Sequence, residues 1–217
     1  MCAKIVKSKK VIVGITGNIA SGKTTALNYL SSLGFKTINS DEIVNKIWSD
    51  KEFNKIISNE YNVNLEDRKS KKRFFNKIYE NPILRKEIEG RIHPKVFSEI
   101  ETNLQNEMGI IFIEMPLLYE VNFHQKCSYV ILILTSQDKQ NSRLEKRGLS
   151  SKESKIRINS QKNFLFMNKA KYYKLLKKES LNLGTFEIYN ITKKIDLFKS
   201  LDKIIEEIQK HEKNNII

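Results

Sequence analysis

Apolar and polar residues alternate between two rhythms along this chain. Five short apolar runs rich in β-branched residues, at 11–16, 36–39, 110–114, 129–134 and 186–189, read as strands. Between most of them the apolar spacing becomes helical. Ala26, Leu27, Leu30 and Leu33 share one face of a helix over 23–33, and Ile43, Ile47 and Trp48 belong to a pattern running over 42–57. The last stretch repeats Leu197, Phe198, Leu201, Ile204, Ile205 and Ile208 at helical spacing. Alternation of strand and helix predicts parallel βαβ units. Near-continuous apolar strands predict a sheet covered on both faces. The fold class expected is α/β, a five-stranded parallel sheet flanked by helices.

Two gaps are longer than a simple crossover needs. Between the second and third strands, residues 60–107 are charged and helical in pattern. Phe74, Phe75, Ile78 and Tyr79 form one apolar cluster there, and Ile88, Ile92, Val96 and Ile100 form a stripe. An inserted helical lobe is expected. Residues 135–175, between the fourth and fifth strands, are dominated by Lys and Arg, and a lid is expected. With 217 residues and neither an internal repeat nor a low-complexity linker, the chain reads as a single domain over 1–217 carrying these two parts.

Composition changes this picture little. Hydrophobic residues make up 40% and charged residues 29%, as in a globular protein, and no apolar run approaches the roughly 20 residues that span a bilayer. The basic start runs straight into a glycine loop without a cleavage-site pattern, so a cytoplasmic protein is expected. Cys2 and Cys127 suit neither a disulfide framework nor a metal cluster. The formal charge of +14 admits three readings: lysine-rich compositional drift, a polyanionic small substrate, or nucleic acid. No interleaving of aromatic and basic residues of the RNA-binding kind is present, so neither nucleic acid nor membrane is expected as a partner. A monomer or weak homo-oligomer is expected.

The chemistry sits at the end of the first strand. Gly17-Asn18-Ile19-Ala20-Ser21-Gly22-Lys23-Thr24, followed by Thr25, fits the Walker A pattern, with an apolar strand before it and an amphipathic helix after it. Glycines let the backbone turn so tightly that successive N–H groups point at phosphate oxygens. Lys23 then reaches the β- and γ-phosphates of ATP, and the Thr24 hydroxyl ligates Mg²⁺. Asp41, in Asn39-Ser40-Asp41-Glu42 after the second strand, lies where open α/β sheets place ligands, facing the loop. It is a candidate general base or metal-positioning group, or the N-cap of a helix starting at Glu42. Glu114 closes the third strand, either as a carboxylate reaching the metal through water or as a strand end broken by Pro116. Arg143, Arg147 and Arg157 can clamp phosphates from a lid, or line a solvated helix face.

Several of these segments taken together resemble the dephospho-CoA kinase family over most of the chain. They are GITGNIASGKTT (14–25), INSDEI (38–43), IHP (92–94), EMPLLYE (114–120), and Arg157 with Gln161 following Arg147. The resemblance implies transfer of the γ-phosphoryl of ATP to the ribose 3′-hydroxyl of dephospho-CoA. It implies Asp41 as base, Lys23 and Thr24 on phosphate and metal, and Arg147 as the lid arginine nearest the transferring group, with Arg143 and Asn190 beside the nucleotide. His93, Pro116, Leu117, Leu118, Glu120 and Gln161 would border the acceptor, with either Lys71 or Arg68 contacting it. The chain departs from the family pattern at Asn39, where many members carry aspartate, and over 170–184, which reads as extra helix. Two other readings remain open: a nucleoside or nucleotide kinase with another acceptor, and a nucleic-acid-dependent NTPase.

Overall fold

The computed structural model describes residues 9–159 and 184–214. Five strands form one sheet: β1 (Lys10–Gly17), β2 (Lys36–Asn39), β3 (Gly109–Glu114), β4 (Tyr129–Leu134) and β5 (Gly184–Tyr189), in the order β2-β3-β1-β4-β5. β1 pairs in parallel with both β3 and β4, and β4 with β5. The five apolar runs each became a strand, and the central strands, buried on both faces, are built mostly from apolar side chains.

Helices α1 (Lys23–Ser32) and α8 (Lys194–Asn214) cover one face. Ala26, Leu27 and Leu30 of α1, with Leu197, Leu201, Ile204, Ile205 and Ile208 of α8, pack on Val11, Val13, Ile15, Phe112, Ile131 and Ile133. Phe198 stacks on Tyr29 with ring centres 4.0 Å apart. At the far end of α8, buried Glu212 accepts a hydrogen bond from the Tyr129 hydroxyl at 2.7 Å and meets Lys9 at 3.3 Å. On the opposite face Leu118 and Cys127 close over Gly14. A Cβ on Gly14 would lie 2.8 Å from Leu118 Cδ1 and 2.9 Å from Cys127 Sγ, so only glycine permits this approach. Burial pushes the Cys127 thiol up to about 12, so it stays protonated and behaves as a small apolar group.

The described chain divides into two compact units, residues 1–38 with 107–217, and residues 39–106. The second unit is helical: α2 (Ser40–Ile47), α3 (Lys51–Tyr61), α4 (Arg68–Glu80) and α5 (Pro82–Leu104). Each helix opens on a side-chain cap. Asn39, Asp50, Asp67 and Asn81 accept from backbone N–H groups of the first turn, and Pro82 follows the last of these caps. The pattern over 42–57 is therefore two helices and not one, because Asp50 caps a new start at the Phe53 N–H, 2.7 Å away. Trp48, just before the break, packs edge-on against Phe53 and Phe75. Leu84, Ile88, Ile92, Val96, Ile100 and Leu104 make one buried stripe along α5. Tyr79, expected in the apolar cluster, is instead 56% exposed.

Two further helices follow β4: α6 (Gln137–Glu145) and α7, helical over 151–159. The expected lid interval thus begins with these helices, while its remainder, Gln161 and nearly all of 170–184 lie outside the described residues, as does Cys2. Leu118, which the motif resemblance assigns to the acceptor border, is 0% exposed and sits in the core over Gly14. Leu118→Ala should therefore cost about 2–5 kcal/mol of stability. Chemical denaturation measures it, and an unchanged midpoint would contradict the packing described.

Candidate active site

The candidate site is the loop joining β1 to α1. Gly17 ends β1 with φ +145, and a Cβ there would fall 1.8 Å from the Ile133 carbonyl oxygen of β4. Glycine is required because the two strands approach too closely for any side chain. Ala20 has φ +57 and Gly22 φ +106, so the loop passes twice through the left-handed region. For Ala20 that conformation is strained, and its surroundings must hold it.

Side-chain donors do so by capturing the loop carbonyls one after another. The Lys23 ammonium donates to the Gly17 and Asn18 carbonyls, both at 3.1 Å. Gln140 Nε2 donates to Ile19 O at 2.9 Å. Arg143 donates to Ala20 O at 2.9 Å and Ser21 O at 3.1 Å, and Asn190 Nδ2 donates to Ser21 O at 2.7 Å. Asn18 binds across to Thr135 reciprocally, donating to its carbonyl at 2.8 Å and accepting from its N–H at 3.1 Å. A trans peptide points its N–H opposite to its C=O. Holding the carbonyls of Ile19 and Ser21 on one side therefore turns the N–H groups of Ala20 and Gly22 to the other, the side where anionic oxygens are bound. Ser21 itself is fully buried, and its Oγ has no hydrogen-bond partner among the described residues.

Thr24, at the start of α1, donates its hydroxyl to Glu114 Oε1 at 3.1 Å. Glu114 ends β3, aligned with Ile15 of β1, and is 2% exposed. This hydroxyl and carboxylate are hard oxygen donors suited to a magnesium ion. No group of three or more His, Cys, Asp or Glu gathers among the described residues. The set thus suits an ion held largely by phosphate oxygens and water, not one caged by protein.

The remaining candidates divide by place. Pro116, Leu117 and Glu120 follow β3 in half-buried positions, and the Pro116 carbonyl accepts from the Thr16 hydroxyl at 3.1 Å. Thr25 is half-buried on α1. Arg147 is exposed in the turn after α6, and Arg157 is exposed on α7. Arg143 has its affinity for protons lowered by burial first and by the charge of Arg147 second, so the two arginines lie within electrostatic reach. Asn190, assigned by resemblance to the nucleotide, is 6% exposed and its amide faces the loop backbone.

In the helical unit, Asp41 is exposed in the first turn of α2. It is not the cap of that helix. The Asn39 side chain accepts from the N–H of Asp41 at 2.9 Å and of Glu42 at 3.4 Å, so the residue that departs from the family pattern performs the capping. His93 is half-buried in the middle of α5, one residue before Pro94, with its ring 6.3 Å from that of Phe97. Desolvation lowers its pKa, opposed by Glu89 and aided by Arg85. Below its ordinary value near 6.5, the neutral imidazole is favoured at neutral pH. Lys71 is half-buried and Arg68 exposed on α4.

Comparison with known proteins decides the family. The family model described as dephospho-CoA kinase matches residues 11–169. This chain belongs to the dephospho-CoA kinase family. A dephospho-CoA kinase of Campylobacter jejuni (strain RM1221) is 30% identical over 205 residues, covering 90% of this chain and 96% of the relative. One of Rickettsia prowazekii (strain Madrid E) is 30% identical over 207 residues, covering 91% and 97%. Among solved structures, a dephospho-CoA kinase from Campylobacter jejuni superposes with TM-score 0.59 at 28% identity, covering 94% of this chain and 99% of that one. A shikimate kinase from Acinetobacter baumannii, at 11% identity and TM-score 0.51, shares the fold, with 93% and 96% of the two chains covered.

Sequence spacing located the loop between β1 and α1. It did not find Gln140, nor that Arg143 and Asn190 grip the loop backbone, since their partners lie more than a hundred residues away for each. Arg143 and Arg147 should separate experimentally. Arg143→Ala removes the donor from two loop carbonyls and should cost roughly 1–2 kcal/mol of stability. Arg147→Ala, an exposed change, should stay within about 0.5 kcal/mol. Denaturant unfolding of both variants measures this, and equal losses would contradict it.

Proposed function

We propose that this protein phosphorylates the ribose 3′-hydroxyl of dephospho-CoA with ATP, giving CoA and ADP, the last step of coenzyme A formation. The observation that carries the reading is a phosphate loop with its carbonyls captured, in a chain belonging to the dephospho-CoA kinase family. The loop N–H groups and the Lys23 ammonium would bind the β- and γ-phosphates. Lys23 is 8% exposed and already held at the loop mouth, so little side-chain freedom is lost when ATP arrives. Thr24, with Glu114 behind it, would hold magnesium, which when bound offsets the charge of the triphosphate.

In the transfer, the acceptor oxygen forms a bond to the γ-phosphorus while the bond to the β–γ bridging oxygen breaks, and ADP leaves. Asp41 takes the proton of the attacking hydroxyl. Its place in the first turn of α2, two residues beyond β2 in a helix that Asn39 caps, supports that role. Arg147 would meet charge on the transferring group from the lid. Lys71 or Arg68, His93, and the segment Pro116–Glu120 apart from Leu118 would border the acceptor. The reading implies a cytoplasmic enzyme acting on small molecules. No described helix is long and apolar enough to cross a membrane.

An ADP-release assay with dephospho-CoA as acceptor, run beside a panel of nucleosides and nucleotides, tests the function. Turnover with a nucleoside and none with dephospho-CoA would replace the acceptor. Asp41→Asn keeps shape but cannot take the proton, so turnover should fall at least about a hundredfold with ATP affinity nearly unchanged. Collapse of ATP binding instead would remove Asp41 as base. Glu114→Gln keeps a partner for Thr24 but loses the charge. The magnesium concentration for half-maximal activity should then rise about tenfold or more, and an unshifted magnesium titration would count against Glu114.

A further inference from the structure

Gln140 stands outside the motifs read from the sequence, yet it is 5% exposed and its amide is spent on one atom of the phosphate loop, the Ile19 carbonyl oxygen at 2.9 Å. It stands in α6, whose backbone at that point bonds to Ser136 O. Its neighbours fix the same region. Leu144 of α6 and Ile158 of α7 pack against Ala20, with Ile19 and Leu149 at the margin. Arg143, one residue before Leu144, holds the next two carbonyls. The strained turn at Ala20 is thus backed by an apolar cluster and flanked by donors on either side.

The geometry points to Gln140 as a positioning residue for ATP: by donating to Ile19 O it sets the Ile19–Ala20 peptide so that the Ala20 N–H faces the phosphates. Two alternatives for that carbonyl are poor. Water competes poorly with a donor already in place, since Gln140 is 5% exposed and Ala20 6% exposed beside that carbonyl. An unpaired carbonyl in that setting favours a rotated peptide, which would withdraw the N–H from its ligand. The effect is specific to the phosphate end of the nucleotide and to donation, not to the shape of the side chain. This inference rests on the reading of the loop as the ATP site.

Gln140→Glu is nearly isosteric but, when ionised, offers only acceptors to the Ile19 carbonyl. Gln140→Leu removes the donor at every pH. Calorimetry with tripolyphosphate plus magnesium probes the loop without adenine or acceptor. At pH 8 both variants should bind it about tenfold or more weaker than the unaltered chain. As pH falls to about 6, Gln140→Glu should regain part of that loss relative to the unaltered chain, because a protonated carboxyl in a buried place donates again. Gln140→Leu should stay flat. In assays, KM for ATP should rise in step while KM for dephospho-CoA holds. A purely structural role would instead move both KM values together and give no pH recovery, and that outcome overturns the inference. So does tripolyphosphate binding equal to the unaltered chain in either variant. Should Gln140→Leu fail to fold, the pH profile of Gln140→Glu decides alone. Failure of the unaltered chain to bind tripolyphosphate would sink the ATP-site reading itself, and the inference with it.

Discussion

Everything at the candidate site depends on where five consecutive carbonyls point. A backbone loop offers an anion its N–H groups only if its C=O groups are satisfied elsewhere, because each peptide carries both in opposite directions. In this chain the satisfaction comes from four charged and amide side chains drawn from three places: Lys23 in α1, Gln140 and Arg143 in α6, and Asn190 after β5. The order of the strands makes this possible. With β1 in the centre and β4 and β5 to one side, the ends of those strands and the helix after β4 surround the loop. The anion site is thus a property of the sheet more than of the eight residues in its motif.

The same geometry explains the glycines at two positions. Gly17 is required by the carbonyl of Ile133, a residue over a hundred positions away, and Gly22 by the Asn190 amide, 2.5 Å from where a Cβ would be. A motif glycine is commonly credited to turn-making, and the turns are real here. The closer constraint is that other strands and their side chains must come within hydrogen-bonding range of the loop backbone.

Much of the fold was legible because burial is written directly into residue type. β1, β3 and β4 could be read from unbroken runs of Val, Ile and Leu, and α8 from its apolar spacing. The loop and Thr24 were legible from local spacing. What escaped depended on partners distant in sequence or on competition between caps. The break between α2 and α3 turns on a single Asp50 side chain, and the cap of α2 fell to Asn39 and not Asp41. Leu118 reads like a pocket residue from its motif and is core because Gly14 leaves a hole of its size. Gln140 gave no signal, since a lone glutamine in a basic helix looks like solvated surface.

The supports of the loop impose an order on its assembly. Residues 17–24 are made well before Gln140, Arg143 and Asn190. At usual elongation rates of about 5–20 residues per second, roughly ten to thirty seconds separate Thr24 from Asn190. During that interval the motif is present without the donors that shape it, and Ala20 has no reason to hold a strained backbone. On the reading of this loop as the ATP site, a growing chain has its full set of loop donors only once Asn190, beyond the fifth strand, has been made.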